Sequence, residues 1–339
     1  MVQRIGFACK WTEATDKGPE AVADLNNRST TVAWLNRQSR DIAEQRLYDI
    51  MLHNIGALRG LVQRVGSLDH DLRMVRIGSD VLPVYTEPTW GYYWRDSGIR
   101  ALCEREFNSI GQLARDLDVR LSMHPGQFTV LASDRPDVVD RSIDEFEYHT
   151  DIARWMGYGK TFQDFKINVH IAGKAGPQGI RSAYGRLSPE ARNTITIENE
   201  ENAWGLDACL ELADIVPIVL DIHHHWVREG EYISPSDARV ARVRNSWRDR
   251  RPVLHYSVSR EDCLGDHSTT EMPDMAALLA QGHKKAKLRA HSDYYWNTAV
   301  NQWALSFLED FDIMCESKAK NLASFAFADF VKSRKQTLA

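Results

Sequence analysis

The 339-residue sequence lacks the apolar run of about 18 residues that a membrane-spanning helix needs. Its first residues hold no hydrophobic segment of a secretory signal, so we expect a cytoplasmic protein. The five cysteines are scattered without a C-x-x-C pair, which excludes a disulfide framework and a zinc ribbon. We find no internal repeat and no low-complexity segment.

An excess of basic charge is also absent. The net charge is −5, with 42 basic and 47 acidic residues, so the chain as a whole does not favour nucleic-acid binding. Any contact with DNA must come from local basic patches. No Ser-His-Asp or Cys-His arrangement stands out, so we expect no covalent protein nucleophile.

Short apolar, β-branched runs, each ending in polar residues, recur along the chain. Segments with helical spacing lie between most of them, for example residues 41–65, 98–117 and 138–157. Strands that alternate with helices predict a parallel sheet, and eight such units in about 290 residues favour a closed (β/α)8 TIM barrel. The expected strands are residues 4–9, 74–80, 119–125, 166–173, 194–201, 217–226, 252–259 and 287–294. We assign residues 1–295 to the barrel and residues 296–339 to a C-terminal helical extension packed on it.

Ligand-type side chains stand at the ends of these runs. The C-terminal ends of barrel strands meet at one face, so these side chains are expected to converge there. A single strand-end histidine or aspartate is more often a hydrogen-bonded residue or a helix cap. Burying so many imidazoles and carboxylates without a compensating ion would be costly, so we interpret the set as a metal site. The set comprises Asp80, His124, His170, Glu198, Asp221, His223, His224, His225, His255, His291 and Asp293.

Imidazole nitrogen and carboxylate oxygen without thiolate suit Mn²⁺, Zn²⁺, Co²⁺ or Fe²⁺. About eight or nine donors are too many for one ion, so two or three cations are expected. Such a cluster suits phosphodiester hydrolysis, in which one metal lowers the pKa of the attacking water and another stabilises the departing oxygen. Aldose–ketose isomerisation, which also runs on barrels with two divalent metals, is the alternative.

Seven short motifs, in this order, resemble the UV damage endonuclease family. They are NNRST (26–30), RIGSDVLPV (76–84), SMHPGQF (122–128), NVHIAG (168–173), TIENEE (196–201), LDIHHH (220–225) and LHYSVS (254–259). The resemblance covers roughly residues 1–295. It implies a barrel with up to three metals, usually manganese, that nicks double-stranded DNA immediately 5′ to UV photoproducts. The nick leaves a 3′-hydroxyl and a 5′-phosphate.

The resemblance also implies a set of metal ligands. They are His124, His170, Glu198, Asp221, His224 and His255, with Asp80 at a place where the family has histidine or aspartate. Among them we assign catalytic roles to Glu198, His124, His170 and Asp221. The expected ions are two or three Mn²⁺, with Zn²⁺, Co²⁺ or Mg²⁺ as alternatives.

Two positions depart from the family pattern. Val253 stands where the family has a lysine that can carry a carboxylate. His291 is expected near the place of a glutamate in the last strand, and we add it to the metal ligands. An imidazole cannot bridge two metals as a carboxylate does, so these departures bear on the number of metals.

The residues after the His-Pro-Gly turn are expected to read DNA. Gln127 and Phe128 stand where the family probes the duplex, and a photodimer stacks so poorly that a wedge opens it more easily than intact DNA. Four further residues are expected at the lesion. Asn27 and Arg28 belong to the NNRST motif, Phe7 stands where the family often has tyrosine, and Tyr85 lies in an aromatic loop.

Three rival interpretations remain at this point. Two are enzymes on related barrels, namely an apurinic-site endonuclease and a sugar isomerase. The third is a damage-binding protein that has lost turnover through Val253 and His291. The expected partner is double-stranded DNA with UV lesions, and we expect a monomer that does not associate with membranes.

Overall fold

The computed structural model describes residues 2–338, and its main feature is one sheet of eight parallel strands that curls into a barrel. The strands are β1 (Ile5–Cys9), β2 (Thr12–Thr15), β3 (Gly18–Ala21), β4 (Met74–Ile77), β5 (Arg120–Met123), β6 (Lys166–His170), β7 (Ile195–Glu198), β8 (Ile218–Val219), β9 (Val253–Tyr256) and β10 (Asp312–Cys315). The order in the barrel is β8-β7-β6-β5-β4-β1-β10-β9, while β2 and β3 form a separate antiparallel hairpin. A parallel bridge between Asp221 and His255 joins the two ends of the sheet. The TIM barrel predicted from the sequence is confirmed.

Helices surround the sheet. They are α1 (Val32–Leu35), α2 (Arg40–Gly66), α3 (Ser97–Asp116), α4 (Pro136–Trp155), α5 (Gly176–Arg186), α6 (Pro189–Thr194), α7 (Leu206–Leu210), α8 (Ile222–Glu229), α9 (Ala238–Ser246), α10 (Met275–Ala280), α11 (Lys285–Leu288), α12 (Thr298–Leu305) and α13 (Asn321–Leu338). Local signals set where the long ones begin: Ser39 caps α2, Asp96 caps α3, and Pro136 opens α4. Within residues 2–338, no helix has both the length and the apolar character to cross a membrane.

The barrel strands are short and apolar because both of their faces are covered. The sequences of β6 (KINVH) and β7 (ITIE) are buried almost throughout. A parallel strand with both faces covered reads as a nearly continuous apolar run rather than an alternating one. The register pairs His170 with Glu198, so neighbouring strands deliver their last side chains at the same level.

The closing strand lies later in the chain than the sequence analysis placed it. Residues 287–294 form the end of α11 and an irregular turn, and the eighth barrel strand is instead β10, which pairs in parallel with β1 and β9. All four residues of β10 are buried, whereas residues 284–289 expose most of their charged side chains. The barrel therefore extends beyond residue 295, and the segment expected to be purely helical holds its last strand between α12 and α13.

Asp312 fastens the amino-terminal end of β10. Its buried carboxylate lies 2.6 Å from Arg120 Nη1 and 2.7 Å from Arg251 Nε. It also accepts a hydrogen bond of 2.9 Å from the Arg4 amide. These partners come from β5 and from the residues just before β9 and β1. One carboxylate therefore holds together chain segments that are far apart in sequence.

We expect Asp312→Asn to lower the free energy of unfolding by about 3–5 kcal/mol, because two largely buried guanidinium groups lose their counter-charge. Urea unfolding followed by circular dichroism measures this loss. The control is Asp310→Asn, which breaks an exposed pair with Arg244 and should cost less than about 1 kcal/mol. Equal losses in the two variants would contradict the anchoring role of Asp312.

Candidate metal centre and active site

Glu198, the last residue of β7, lies at the centre of the barrel mouth with 0% of its surface exposed. Its Oε2 is 3.5 Å from His124 Nε2 and 3.4 Å from His170 Nε2. Its Oε1 is 2.9 Å from His255 Nδ1. His124 follows β5, His170 ends β6 and His255 lies within β9, so four strands bring these side chains together. Burial raises the pKa of Glu198, but the neighbouring histidines outweigh it and hold the pKa well below its usual value.

The two carboxylate oxygens of Asp221 have different surroundings. Oδ1 accepts a hydrogen bond of 2.7 Å from the His224 amide and so caps α8. Oδ2 is buried without a hydrogen-bond partner among the described residues, and it lies 3.8 Å from His224 Nδ1. Burial raises the pKa of Asp221 to about 7. An orphaned buried carboxylate oxygen is costly, and a bound cation would satisfy it.

Backbone carbonyls orient several of the histidine rings. Each ring places Nδ1 within hydrogen-bond distance of a carbonyl oxygen: His124 with Pro125 (2.8 Å), His224 with Asn199 (3.0 Å) and His291 with Glu316 (2.6 Å). A ring whose Nδ1–H donates to a carbonyl keeps the Nε2 lone pair free, which is the usual arrangement of a metal-ligating histidine. The rings of His124 and His291 are therefore held with Nε2 available, whereas His224 turns Nδ1 toward Glu198 and Asp221, at 3.7 and 3.8 Å.

Glu316, which the sequence analysis missed, completes the mouth. It follows β10 directly, its Oε1 lies 3.3 Å from His255 Nδ1, and its carboxylate pairs with Arg76 of β4. The signal was present, since FDIMCE (311–316) repeats the pattern of an apolar strand followed by a carboxylate seen in TITIE (194–198). The last-strand glutamate is therefore Glu316, and placing His291 at that position was wrong. His291 is an additional imidazole whose ring centroid lies 6.4 Å from that of His224.

Lys166, at the start of β6, is a second residue that the sequence analysis did not identify. It is buried, and its Nζ lies 2.8 Å from His255 Nε2. Burial lowers the pKa of Lys166 to about 7. The amine holds one edge of the His255 ring, so the opposite edge, with Nδ1, faces Glu198 and Glu316. Val253, by contrast, is buried among apolar side chains and offers no donor.

Three overlapping groups of side chains bring donor atoms within 4.8 Å of one another. They are His124 with His170 and Glu198, Glu198 with Asp221 and His224, and Asp221 with His255 and Glu316. Because Glu198 and Asp221 each belong to two groups, the three can hold neighbouring cations that share carboxylates. The six ligands named first in the sequence analysis all lie in these groups.

Three residues expected at the site lie elsewhere. Asp80 is exposed and outside the three groups, because β4 ends at Ile77 and the chain turns away before reaching it. Phe7 is fully buried, and its ring meets that of Trp11 at 5.8 Å. Tyr85 donates a hydrogen bond of 2.9 Å to a carboxylate of α4, so it packs its loop onto that helix. The rings of Phe7 and Tyr85 therefore pack within the protein and do not lie at the mouth.

The rim of the mouth carries the residues expected to read DNA. Gln127 and Phe128 line a cavity of about 600 Å³ together with His124 and His170. Phe128 is 86% exposed. Phe128 therefore presents a large exposed ring at the edge of the cavity.

Asn27 and Arg28 lie in the loop before α1. Arg28 exposes its side chain, while its amide donates to the buried Asn54 at 2.7 Å. The Asn27 side chain approaches the Gly78 carbonyl at 3.5 Å, at the end of β4. Asn54 therefore fixes the loop and leaves the Arg28 guanidinium free to reach a ligand.

Comparison with known proteins supports this architecture. The crystal structure of SacUVDE superposes with a TM-score of 0.71 at 21% identity, over 98% of this chain and 99% of that one. At this identity the likeness establishes the fold alone. The barrel is thus shared with that protein over almost the whole length of both.

Residues 3–337 match the family described as UV-endonuclease UvdE. A UV-damage endonuclease of Neurospora crassa is 31% identical over 216 residues, which is 58% of this chain and 31% of that protein. A UV DNA damage endonuclease of Bacillus cereus is 23% identical over 339 residues, covering 96% of this chain and 94% of its own. The chain thus spans about a third of the fungal relative and nearly all of the bacterial one. It belongs to the UV-endonuclease UvdE family.

We expect Mn²⁺ to raise the melting temperature of the protein, because only the folded chain gathers the donors. A ligand at 100 times its Kd adds about 2.7 kcal/mol of stability. Glu198→Gln should weaken Mn²⁺ binding at least tenfold in isothermal titration calorimetry, whereas His70→Ala, at an exposed histidine, should leave it unchanged. Equal Mn²⁺ affinity in both variants would contradict the central position of Glu198.

Proposed function

We propose that this chain is a metal-dependent DNA repair endonuclease that cuts double-stranded DNA immediately 5′ to UV photoproducts and leaves a 3′-hydroxyl and a 5′-phosphate. One observation carries the proposal. A buried cluster of donors around Glu198 forms the floor of a cavity whose rim bears the exposed ring of Phe128. A cleavage centre and a probe for damaged duplex thus share one opening.

The residues that would hold divalent cations are His124, His170, Glu198, Asp221, His224, His255 and Glu316, with His291 beside them. When bound, the cations activate a water molecule and neutralise the charge that develops on the phosphate. We expect two or three Mn²⁺, since Glu198 and Asp221 are each shared between groups; Zn²⁺, Co²⁺ and Mg²⁺ are the alternatives.

Polar side chains of the protein hold the carboxylates of Glu198 and Glu316 in place. Asn168 donates to Glu198 Oε2, and Arg76 pairs with Glu316. Thr196 donates to Asn168 Oδ1 at 2.7 Å, which fixes the orientation of the amide. Each carboxylate therefore keeps one oriented partner from the protein.

The rim supplies recognition of the lesion. Phe128 would enter the duplex where a photodimer has weakened stacking, and Gln127 would contact the exposed base edges. Arg28, whose side chain is free, would contact a phosphate, with Asn27 beside it. Gly126 lies between His124 and the pair Gln127 and Phe128. It is exposed and nothing lies close to it, so the turn can present both side chains outward.

Two observations weigh against the rival functions. A sugar isomerase needs a small closed pocket, whereas this cavity is bordered by the protruding ring of Phe128. A non-cleaving damage-binding protein was suggested by Val253 and by His291. Glu316 supplies a carboxylate directly after the last strand, which weakens the second reason, while Val253 still offers no donor.

We expect the protein with Mn²⁺ to nick UV-irradiated supercoiled plasmid, and His124→Ala or Glu198→Ala to reduce nicking at least about a hundredfold because each removes a metal donor. An end-labelled duplex with one photodimer maps the cut and the new ends. The controls are unirradiated plasmid and His70→Ala. A metal-loaded protein that binds the duplex without nicking it would support the non-cleaving rival, and nicking only at abasic sites would support the apurinic-site rival.

We expect Phe128→Ala to reduce the preference for photodimer-containing over intact duplex about tenfold, since stacking of a base on an aromatic ring contributes about 1–3 kcal/mol. Fluorescence anisotropy on the two duplexes measures the ratio of Kd values. Tyr92→Ala is the matched control, because Tyr92 is an exposed aromatic residue away from the cavity. An unchanged ratio in Phe128→Ala would contradict the probing role.

A further inference from the structure

The long connection between β9 and α12 places a positively charged segment beside the mouth. Residues 284–289 read KKAKLR and are called the basic segment below. Its four cationic side chains are exposed: Lys284, Lys285, Lys287 and Arg289. No acidic residue occurs between residues 281 and 292. In a chain of net charge −5, this is a marked local excess of positive charge.

The basic segment is anchored rather than loose. Leu288 is fully buried and packs in a small apolar cluster with Trp226 and Leu278. Just beyond the segment, the Arg260 amide donates to the Ala290 carbonyl at 2.9 Å. The charges are therefore presented at a set position, so they lose little conformational freedom when they bind a ligand.

One end of the basic segment borders the catalytic cavity. Arg289 lines that cavity together with Phe128 and His291, and its Nη1 lies 3.2 Å from Glu201 Oε1. At the other end, Lys285 Nζ donates to the Arg228 carbonyl at 2.6 Å, near the end of α8. The segment thus extends from the edge of the cavity at Arg289 to the end of α8 at Lys285.

Lys284 and Lys287 are the free cations of the segment. Neither forms an ion pair with a carboxylate within residues 2–338, whereas Arg289 is paired with Glu201. The cavity itself is lined by Glu200 and Glu201, which repel phosphate. Arg76 and Arg289 line the same cavity, and the basic segment, which reaches the cavity at Arg289, adds unpaired positive charge for a polyanion that enters it.

We infer that the basic segment binds the phosphates of the DNA strand that leaves the catalytic cavity, an inference that rests on the proposed function. The four helical residues of α11 span about 6 Å, and a DNA strand presents one phosphate per about 3.4 Å of duplex axis. The segment can thus reach about two consecutive phosphates. These contacts hold the DNA backbone whatever its sequence and whether or not it carries a lesion, because they do not distinguish bases.

The test compares two double variants in binding to an undamaged duplex over a range of salt concentrations. In Lys284→Ala/Lys287→Ala, two phosphate contacts are lost, so the slope of log K against log salt should become shallower by about 2. Affinity at low salt should fall at least tenfold. The control is Lys332→Ala/Lys335→Ala on α13, which removes the same charge where the side chains contact Asp69 and Gln3.

The outcomes separate the two proposals. A wild-type slope in the Lys284/Lys287 variant, or an equal change in the α13 control, overturns the role of the basic segment. If the wild type nicks irradiated plasmid in the same preparation, the proposed function stands despite that result. A wild-type chain that neither binds nor nicks DNA overturns both. Retained Mn²⁺ affinity in the variants shows that the metal centre is intact.

Discussion

The buried negative charge of Glu198 and its neighbours is the constraint on which the rest of the site depends. Glu198 and Asp221 lie out of contact with water, and one oxygen of Asp221 has no donor among the described residues. Burial of unpaired charge is costly, so the arrangement is stable only with positive charge in the mouth. Histidines supply part of it, and burial keeps some of them neutral, as in His124, whose pKa is lowered to about 4. Imidazole nitrogens and carboxylate oxygens together form the ligand set of a divalent cation.

Strand register turns separate stretches of sequence into this one constellation. The pairing of His170 with Glu198, and the bridge between Asp221 and His255, place side chains of four strands at one level. Asp221 also starts the next helix, because one oxygen caps α8 while the other faces the mouth. The same residue therefore serves the fold and the site, which is why a capping role for a strand-end aspartate does not exclude a ligand role.

Most of the barrel could be predicted because its strands and helices differ in periodicity. Seven of the eight barrel strands were recognised, and the candidate ligands stand near the ends of these strands, in the motifs that resemble the family. The eighth strand was missed because residues 287–294 contain His291, which matched the expected pattern of a run with a ligand-type residue near its end, so β10 was left in the C-terminal segment. Contacts that depend on tertiary packing could not be predicted either. The burial of Phe7 and the approach of Lys166 to His255 follow from neighbours that are distant in sequence.

The position of β10 in the chain has a consequence for how the protein is made. Ile5 pairs with Ile313, and the carboxylate of Glu316 reaches the mouth only after this pairing forms. Contacts between residues so distant in sequence form slowly and late. During synthesis, the barrel must therefore wait for residues 312–316 to leave the ribosome before it can close. Incomplete chains lack an assembled mouth, so translation itself delays the appearance of the full ligand set.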